Sequence, residues 1–270
     1  MPELPEVENV KIDLNKLIKE KILLDFIIIR RDLKYIISDD LKKLKFKTVK
    51  NVFRYGKYLF IDFSKQGIVI NFGLTGTLKY INNEDISKYD FVEFVFSDNI
   101  RIRYSDIRKF GFIVFSDCYP NRNFFIKNVG YDPFSCFLNG KYLLDISRNK
   151  KTSIKSFIMN NKIVSGIGNI YANEILFHSK ILPFRMVKSL NLSEFIKISI
   201  ISKIILLKSI KLGGTSFKNF FNLYGYKGNY SNFLMVYGKN GNLCLRCKYN
   251  LILKSIINGR STYFCCHCQF

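Results

Sequence analysis

The chain has 270 residues, enough for one large domain or two domains of ordinary size, so it is no disulfide-dependent miniprotein. With 48% hydrophobic and 24% charged residues, it is also too apolar to be intrinsically disordered. Its 43 Lys and Arg residues against 21 Asp and Glu residues give a net charge of +22, which argues against small neutral substrates. A polyanion is the expected partner, nucleic acid before an anionic membrane surface.

The N-terminus begins with an acidic segment, MPELPEVENV, and has no apolar run behind a basic start, so we predict no signal peptide and a cytoplasmic protein. The most apolar stretch, Ile196–Ile210, is interrupted by lysines and is too short for a membrane span. We therefore expect no membrane partner. Seven cysteines without an export signal favour reduced thiols or metal ligands over disulfides.

The chain should open with a helix. Apolar residues recur on one helical face, and acidic residues fill the first turn near Pro5 (the apolar residues are Val7, Val10, Leu14, Leu17 and Ile18). Short β-branched and aromatic runs separated by turn residues then predict an antiparallel sandwich or barrel. The predicted strands are Phe26–Ile29, Tyr58–Phe63, Ile68–Phe72, Phe91–Phe96, Ile100–Tyr104 and Phe112–Phe115.

Helical patterns replace the strands after Pro133. The predicted helices are Gly140–Ser147, Ser153–Asn160, Ile170–His178, Leu192–Lys211 and Ser216–Leu223. We therefore expect an α+β fold with an N-terminal β-sandwich domain at 1–130, a helical domain at 131–236 and a Cys-rich module at 237–270.

Four cysteines near the C-terminus have the spacing of a metal site, Cys244-x2-Cys247-x17-Cys265-x2-Cys268. Cys266 and His267 could serve as ligands instead, but the matched two-residue spacing favours Cys265 and Cys268. Four protein ligands leave no open position, so the pattern predicts one structural Zn²⁺. Any catalysis must then use other residues.

The opening Pro2-Glu3-Leu4-Pro5-Glu6-Val7-Glu8, together with the zinc module, closely resembles the formamidopyrimidine-DNA glycosylase family. Further matching stretches follow in the family's order across the chain. They are Gly56–Tyr58, Gly73–Gly76, Asp106–Gly111 and Gly166–Glu174. The sister family, endonuclease VIII, typically has Gly where this chain has Leu4, so the oxidised-purine branch is favoured.

The resemblance implies a catalytic role for four residues. Removal of Met1 leaves Pro2 with a secondary amine whose pKa should be about 8, so part of it is neutral at pH 7 and can attack a nucleotide C1′. By residues alone, Pro2 would only mark a helix start. The family implies that Glu3 is the acid/base, that Lys57 serves phosphate binding and proton transfer, and that Arg260 grips phosphate and assists δ-elimination.

The resemblance also implies a set of DNA-binding residues. Leu74, Arg108 and Phe110 would fill the space of an extruded base as plug, hydrogen-bonding cation and wedge. Asn169, in a glycine-rich turn before a helix, would bind phosphate. Lys150 and Lys155 also fall at matching positions, Lys150 near phosphate and Lys155 near the flipped base unless they are simply solvated. Tyr89 is a further expected DNA-binding residue. Relatives usually carry Met at the position of Leu74 and His at those of Asn71 and Tyr89.

The glycine-rich segment Gly225–Tyr230 resembles the family's loop that closes over an extruded 8-oxoguanine. We therefore predict a bifunctional DNA glycosylase and AP lyase for oxidised purines, a monomer that binds damaged double-stranded DNA and associates with the bacterial nucleoid. Two alternatives stay open: an endonuclease VIII-like glycosylase for oxidised pyrimidines, and a non-catalytic zinc protein that binds DNA.

Overall fold

The computed structural model describes residues 2–82, 84–215 and 222–270. The chain divides into two compact units, one from residues 1–128 and 212–231 and the other from residues 129–211 and 232–270. The helices are α1 (Leu4–Ile18), α2 (Gly140–Ser147), α3 (Ile154–Ile158), α4 (Asn169–Ser179) and α5 (Leu192–Lys211). The predicted helix Ser216–Leu223 falls largely on residues outside those described.

The strands of the first unit are β1 (Leu23–Ile28), β2 (Asn51–Tyr55), β3 (Tyr58–Asp62), β4 (Gly67–Asn71), β5 (Gly76–Tyr80), β6 (Asp90–Phe96), β7 (Arg101–Asp106) and β8 (Phe112–Ser116). Within the described residues they form two antiparallel four-stranded sheets, in the orders β1-β6-β7-β5 and β2-β3-β4-β8. Residues from all eight strands and the buried face of α1 build one core. The predicted sandwich is therefore confirmed.

Two of these strands, β2 and β5, were missed by the sequence analysis. Each lies at the edge of its sheet. Both strands are short and carry a basic residue, Arg54 in β2 and Lys79 in β5, which interrupts the apolar pattern. The other two edge strands, β1 and β8, keep that pattern and were predicted.

The second unit packs α2 and α4 against α5 and ends in a small hairpin of β9 (Leu253–Ile257) and β10 (Arg260–Phe264). Helix α4 is buried on nearly every side, from Tyr171 to Phe177. The hairpin contacts α4 and turns through Asn258 and Gly259, both at positive φ. An Asn-Gly pair is the preferred two-residue turn for such a hairpin.

The segment after α5 departs from the sequence expectation. The sequence predicted that residues 212–231 belong to the helical domain, whereas the described residues of this segment belong to the first unit. Leu223 joins the sandwich core, and its carbonyl accepts a hydrogen bond from the Tyr80 backbone at 2.9 Å. No described helix has the length and apolarity that crossing a membrane requires.

Candidate functional site

The start of α1 is fixed by a buried carboxylate. Glu6, 2% exposed, accepts the backbone N–H of Glu3 at 2.8 Å on Oε2 and the backbone N–H of Thr215 at 2.7 Å on Oε1. The first contact belongs to a capping box, in which Glu6 caps the start of the helix. Through both contacts, Glu6 ties the residue after Pro2 to a segment more than 200 positions away in the chain.

A cavity of about 230 Å³ in the first unit brings several predicted residues together. Pro2, Lys57, Leu74 and Phe110 all line it. These residues come from the chain start, the β2–β3 turn, the β4–β5 turn and the β7–β8 loop. The structure therefore places the candidate amine, a candidate cation and two candidate insertion residues around one space.

Lys34 and Asn71 also line this cavity, and the sequence analysis assigned neither a role. Asn71 donates from Nδ2 to the Lys57 carbonyl at 3.3 Å and accepts the Gly73 backbone N–H on Oδ1 at 3.0 Å. It thus joins the lysine turn to the turn that carries Leu74. Lys34 is exposed, and its backbone donates to the Gly111 carbonyl at 3.3 Å. Lys34 could not be predicted as a site residue, because a single lysine does not stand out in so basic a chain.

The β7–β8 loop that carries Arg108 and Phe110 is organised by Asp106, which is 1% exposed. Its Oδ1 accepts the Thr75 hydroxyl at 2.5 Å and the Arg108 backbone N–H at 3.1 Å, while Oδ2 accepts the Gly111 backbone N–H at 2.8 Å. The Arg108 guanidinium lies 4.8 Å from the centre of the exposed Phe110 ring. The cation and the wedge are therefore presented as one stacked pair.

The β4–β5 turn approaches this loop so closely that Gly73 is required. A Cβ at Gly73 would lie 2.4 Å from the Phe110 carbonyl carbon, and its φ of +54° also disfavours other residues. The two predicted insertion segments are thereby held against each other.

Tyr89 lies elsewhere. It lines a separate cavity of about 260 Å³ with Thr75 and Ile107, beside the buried ion pairs of Arg103 with Glu93 and Asp90. The structure thus brings Tyr89 near the insertion loop but not to the cavity of Pro2.

In the second unit, the four cysteines predicted as ligands converge. Their sulfur atoms lie within 4.8 Å of one another, with Cys244–Cys268 and Cys247–Cys265 both at 3.8 Å. Tetrahedral zinc with Zn–S bonds of about 2.3 Å requires sulfur separations of about 3.8 Å, so the set fits this ion. Cys266 is exposed and lies outside the cluster.

Helix α4 holds the zinc hairpin through Asn169 and Asn173, and it holds the backbone of 235–237 through Glu174. Asn169 donates from Nδ2 to the Ser261 carbonyl at 3.0 Å, and Asn173 accepts the Tyr263 backbone N–H at 2.7 Å. Glu174, fully buried, accepts three backbone N–H groups from 235–237 at 2.8 to 3.0 Å. Burial nevertheless raises the pKa of Glu174 above its usual value.

Lys150 is exposed just after α2, and Arg260 is exposed at the start of β10. Lys155 is different, because it is 1% exposed. Its ammonium group donates to the Ser261 carbonyl at 2.9 Å and to Thr262 Oγ1 at 2.8 Å. The structure therefore turns Lys155 toward the hairpin, whereas the resemblance suggested a neighbour of the flipped base.

The described part of the predicted base-covering loop lies in the first unit. Asn222 accepts the backbone N–H groups of Tyr224 and Tyr226 at 3.1 and 2.8 Å, and Tyr226 is 71% exposed. Gly228 packs directly on the backbone of 213–214, where a Cβ would meet carbonyl oxygens at 2.3 Å. This segment is thus connected to the Glu6 contact at Thr215.

The first unit is a β-sandwich in which Pro2 lines a cavity together with two lysines, and the second is a helical unit with a four-cysteine hairpin. This combination defines a class of zinc-containing DNA-repair proteins. The Formamidopyrimidine-DNA glycosylase N-terminal domain model matches residues 1–113, and the Formamidopyrimidine-DNA glycosylase H2TH domain model matches residues 129–220. The chain belongs to the formamidopyrimidine-DNA glycosylase family, as its motifs predicted, and the four cysteines are its structural zinc site.

Individual relatives match along the whole chain. The formamidopyrimidine-DNA glycosylase of Yersinia enterocolitica is 36% identical over 270 residues and covers all of both chains. Wild-type Fpg (MutM) of Lactococcus lactis, solved with DNA containing N7-benzyl-Fapy-dG, is 31% identical with a TM-score of 0.91 over 99% of each chain. A MutM solved with carbocyclic 8-oxo-G DNA is 31% identical with a TM-score of 0.89 over 99% of each chain. The α+β fold with sandwich, helix–two-turn–helix and zinc hairpin is confirmed.

Proposed function

We propose that this protein is a bifunctional DNA glycosylase and AP lyase of base excision repair. It removes oxidised purines, such as 8-oxoguanine and formamidopyrimidines, from duplex DNA and then cleaves the strand. The observation that carries the proposal is the cavity in which Pro2 meets Lys57, Leu74 and Phe110. Full-length family membership supports it.

The nucleophile is the secondary amine that Pro2 exposes when Met1 is removed. An α-amino group with a pKa of about 8 is neutral in roughly a tenth of molecules at pH 7. The neutral nitrogen donates its lone pair to C1′, and the C1′–N bond to the base breaks with its electron pair leaving on the base. The base takes up a proton as it departs.

Glu3 supplies the acid and base function next to this amine. It is 2% exposed and its backbone is held by Glu6, so its carboxyl group starts from a fixed position. It protonates the sugar oxygen as the ring opens, and the nitrogen of Pro2 becomes an iminium joined to C1′. Water later hydrolyses this iminium and restores the amine.

The iminium acidifies the C2′ proton, and this makes strand cleavage possible. Loss of that proton gives an enamine with a C1′–C2′ double bond. The enamine then expels the 3′ phosphate with the C3′–O electron pair, which leaves a C2′–C3′ double bond and restores the iminium. A second elimination expels the 5′ phosphate. Lys57 at the cavity serves phosphate binding and the first proton transfer, and Arg260 on the zinc hairpin assists the second elimination.

Extruding a nucleotide costs a few kcal/mol, which inserted side chains must offset. Leu74, Arg108 and Phe110 fill the vacated space, with Arg108 and Phe110 stacked as one unit. The Gly225–Tyr230 segment covers the extruded base. We assign phosphate contacts to Tyr89, Lys150 and Asn169.

The hydrogen bonds of Asn169 determine which atom of its side-chain amide can contact DNA. Its Oδ1 is buried and has no hydrogen-bond partner among the described residues, and phosphate oxygens have no proton to give it. The second N–H of the amide is therefore the group left to reach phosphate, beside the positive N-terminal end of α4. We also propose that the protein is cytoplasmic and associates with the bacterial nucleoid through DNA binding.

Borohydride trapping tests the proposal. The protein, with Met1 removal checked by mass, is incubated with duplex DNA carrying one 8-oxoguanine opposite cytosine, and borohydride is added. A covalent adduct with strand cleavage is expected, and Pro2→Gly should lose most of the adduct. Pro5→Ala changes the other proline of the same helix start and should keep it.

The alternatives give different results in the same assay. Excision and adduct formation only with an oxidised pyrimidine would identify an endonuclease VIII-like enzyme; one solved L. lactis relative, 30% identical with a TM-score of 0.90, was itself crystallised with oxidised-pyrimidine DNA. Retained binding without adduct or cleavage would identify a non-catalytic DNA-binding protein. An undiminished adduct in Pro2→Gly would refute the assignment of Pro2.

A further inference from the structure

Helix α3 holds the zinc hairpin on both sides of Arg260. Before Arg260, the Asn258 amide at the hairpin tip donates to Ser156 Oγ at 2.9 Å. After Arg260, the Lys155 ammonium donates to Ser261 and Thr262. Neighbouring residues of one helix turn therefore grip the residues that flank Arg260.

The hydrogen bond from Lys155 to Thr262 is followed by a second hydrogen bond from Thr262 to Arg260 itself. Thr262 is fully buried, and its hydroxyl accepts from Lys155 at 2.8 Å while it donates to the Arg260 carbonyl at 3.1 Å. The Ser261 carbonyl accepts both Lys155 and Asn169, at 2.9 and 3.0 Å. A lysine at 1% exposure is thus linked by one hydroxyl to the backbone of Arg260.

Burial of an ammonium group is costly, because it loses its hydration. Two acceptors of Lys155 are a carbonyl and a hydroxyl, which compensate a charge less well than a carboxylate would. Charge-assisted hydrogen bonds to backbone do, however, fix position strongly. The free-energy cost of burying this ammonium group is explained if it serves to fix the position of the hairpin and not to increase stability.

We propose that Lys155 is a positioning residue for Arg260: through Thr262 and Ser261 it sets where the guanidinium meets the phosphates beside the lesion. This rests on the proposed function, in which Arg260 assists the second elimination. It differs from a role at the flipped base, since two hydrogen bonds of the ammonium group go to the hairpin. Without it, the hairpin tip moves more freely and Arg260 reaches its working position less often.

Lys155→Met tests this, because it keeps an unbranched side chain of nearly the same length and removes the ammonium group. Lys254→Met is the matched control, an exposed lysine on β9 of the same hairpin. At an abasic site we expect Lys155→Met to slow δ-elimination about tenfold, while β-elimination and the trapped adduct change less than about threefold. Lys254→Met should resemble the wild type in the δ-to-β product ratio.

A double-mutant cycle with Arg260→Ala separates positioning from general damage. If Lys155 acts through Arg260, Lys155→Met should have little further effect when Arg260 is already absent. Zinc content and thermal unfolding of each variant show whether the hairpin survives. If Lys155→Met loses zinc or fails to fold, Thr262→Val gives the same test, because it removes only the linking hydroxyl.

The cycle is also measured as affinity for duplex DNA with a tetrahydrofuran abasic analogue, which needs no catalysis. If the wild type forms no adduct, the proposed function fails, yet the coupling in affinity still decides the role of Lys155. Independent effects of Lys155 and Arg260, or an unchanged product ratio and affinity in a folded, zinc-loaded Lys155→Met, would overturn the proposal. So would a loss of 8-oxoguanine excision with normal abasic-site cleavage, which would place Lys155 at the base.

Discussion

The loop that presents Arg108 and Phe110 should depend on the carboxylate of Asp106. Asp106→Asn keeps the shape of the side chain but replaces one acceptor oxygen with an NH2 donor. If the oxygen stays toward Thr75 and Arg108, the new donor faces the Gly111 N–H, now 2.8 Å from Oδ2. Losing one hydrogen bond to a charged group and leaving a buried donor unpaired costs about 1.5–3 kcal/mol.

That cost should appear in stability and in excision. Urea unfolding of Asp106→Asn should show a free energy lower by about 2 kcal/mol, with an unchanged m-value. Because the loop holds the stacked pair in place, kcat/KM for 8-oxoguanine excision should fall about tenfold or more. Asp117→Asn makes the same chemical change at an exposed position and should be neutral. Wild-type stability and excision in Asp106→Asn would refute the reasoning.

Three further results are expected. Removing zinc with a chelator should abolish lesion-DNA binding, because the hairpin that carries Arg260 depends on the ion. Far-UV circular dichroism should still show a folded sandwich. Normal binding by the metal-free protein would contradict the proposed role of the zinc hairpin. Burial, with Arg246 and Lys208 nearby, lowers the pKa of His178 from 6.5 to about 4. As pH falls, the unfolded chain takes up this proton before the folded protein does, so stability present above pH 6.5 is lost toward pH 4. Urea unfolding should show about 1 kcal/mol of this loss between pH 7 and pH 5, after discounting for the partial exposure of His178. The variant His178→Gln should lack this loss. Lys34→Met should lower the slope of log K against log salt for DNA binding by about 0.9 if Lys34 contacts one phosphate, whereas an unchanged slope places Lys34 off the DNA.

Much of the zinc site and of the helical unit could be predicted because the signals are local. Each Cys-x2-Cys pair forms its own turn, and four thiols at matched spacing suit a single tetrahedral ion. Helices Gly140–Ser147 and Leu192–Lys211 were predicted with the bounds that the structure shows, since their apolar period is set within the helix itself. Central strands were found for the same reason, and edge strands β2 and β5 were not.

The family motifs named the candidate residues, but their sequence positions did not show which of them meet. Pro2, Lys57 and Phe110 share a cavity only because the sandwich brings together the chain start, the β2–β3 turn and the β7–β8 loop. Lys34 joins them with no motif of its own, and Tyr89, a candidate DNA-binding residue, lies at a different cavity.

Lys155 shows most clearly what the sequence determined and what the tertiary structure decided. Sequence placed a lysine at the start of a short helix, where lysines are usually solvated. Its burial follows from acceptors on Ser261 and Thr262, more than 100 residues further along the chain. Helix periods and metal spacings are fixed by neighbours in the chain, so they can be predicted from it. Whether a donor finds its acceptor across such a distance depends on the packing of the whole unit, and only the folded structure decides it.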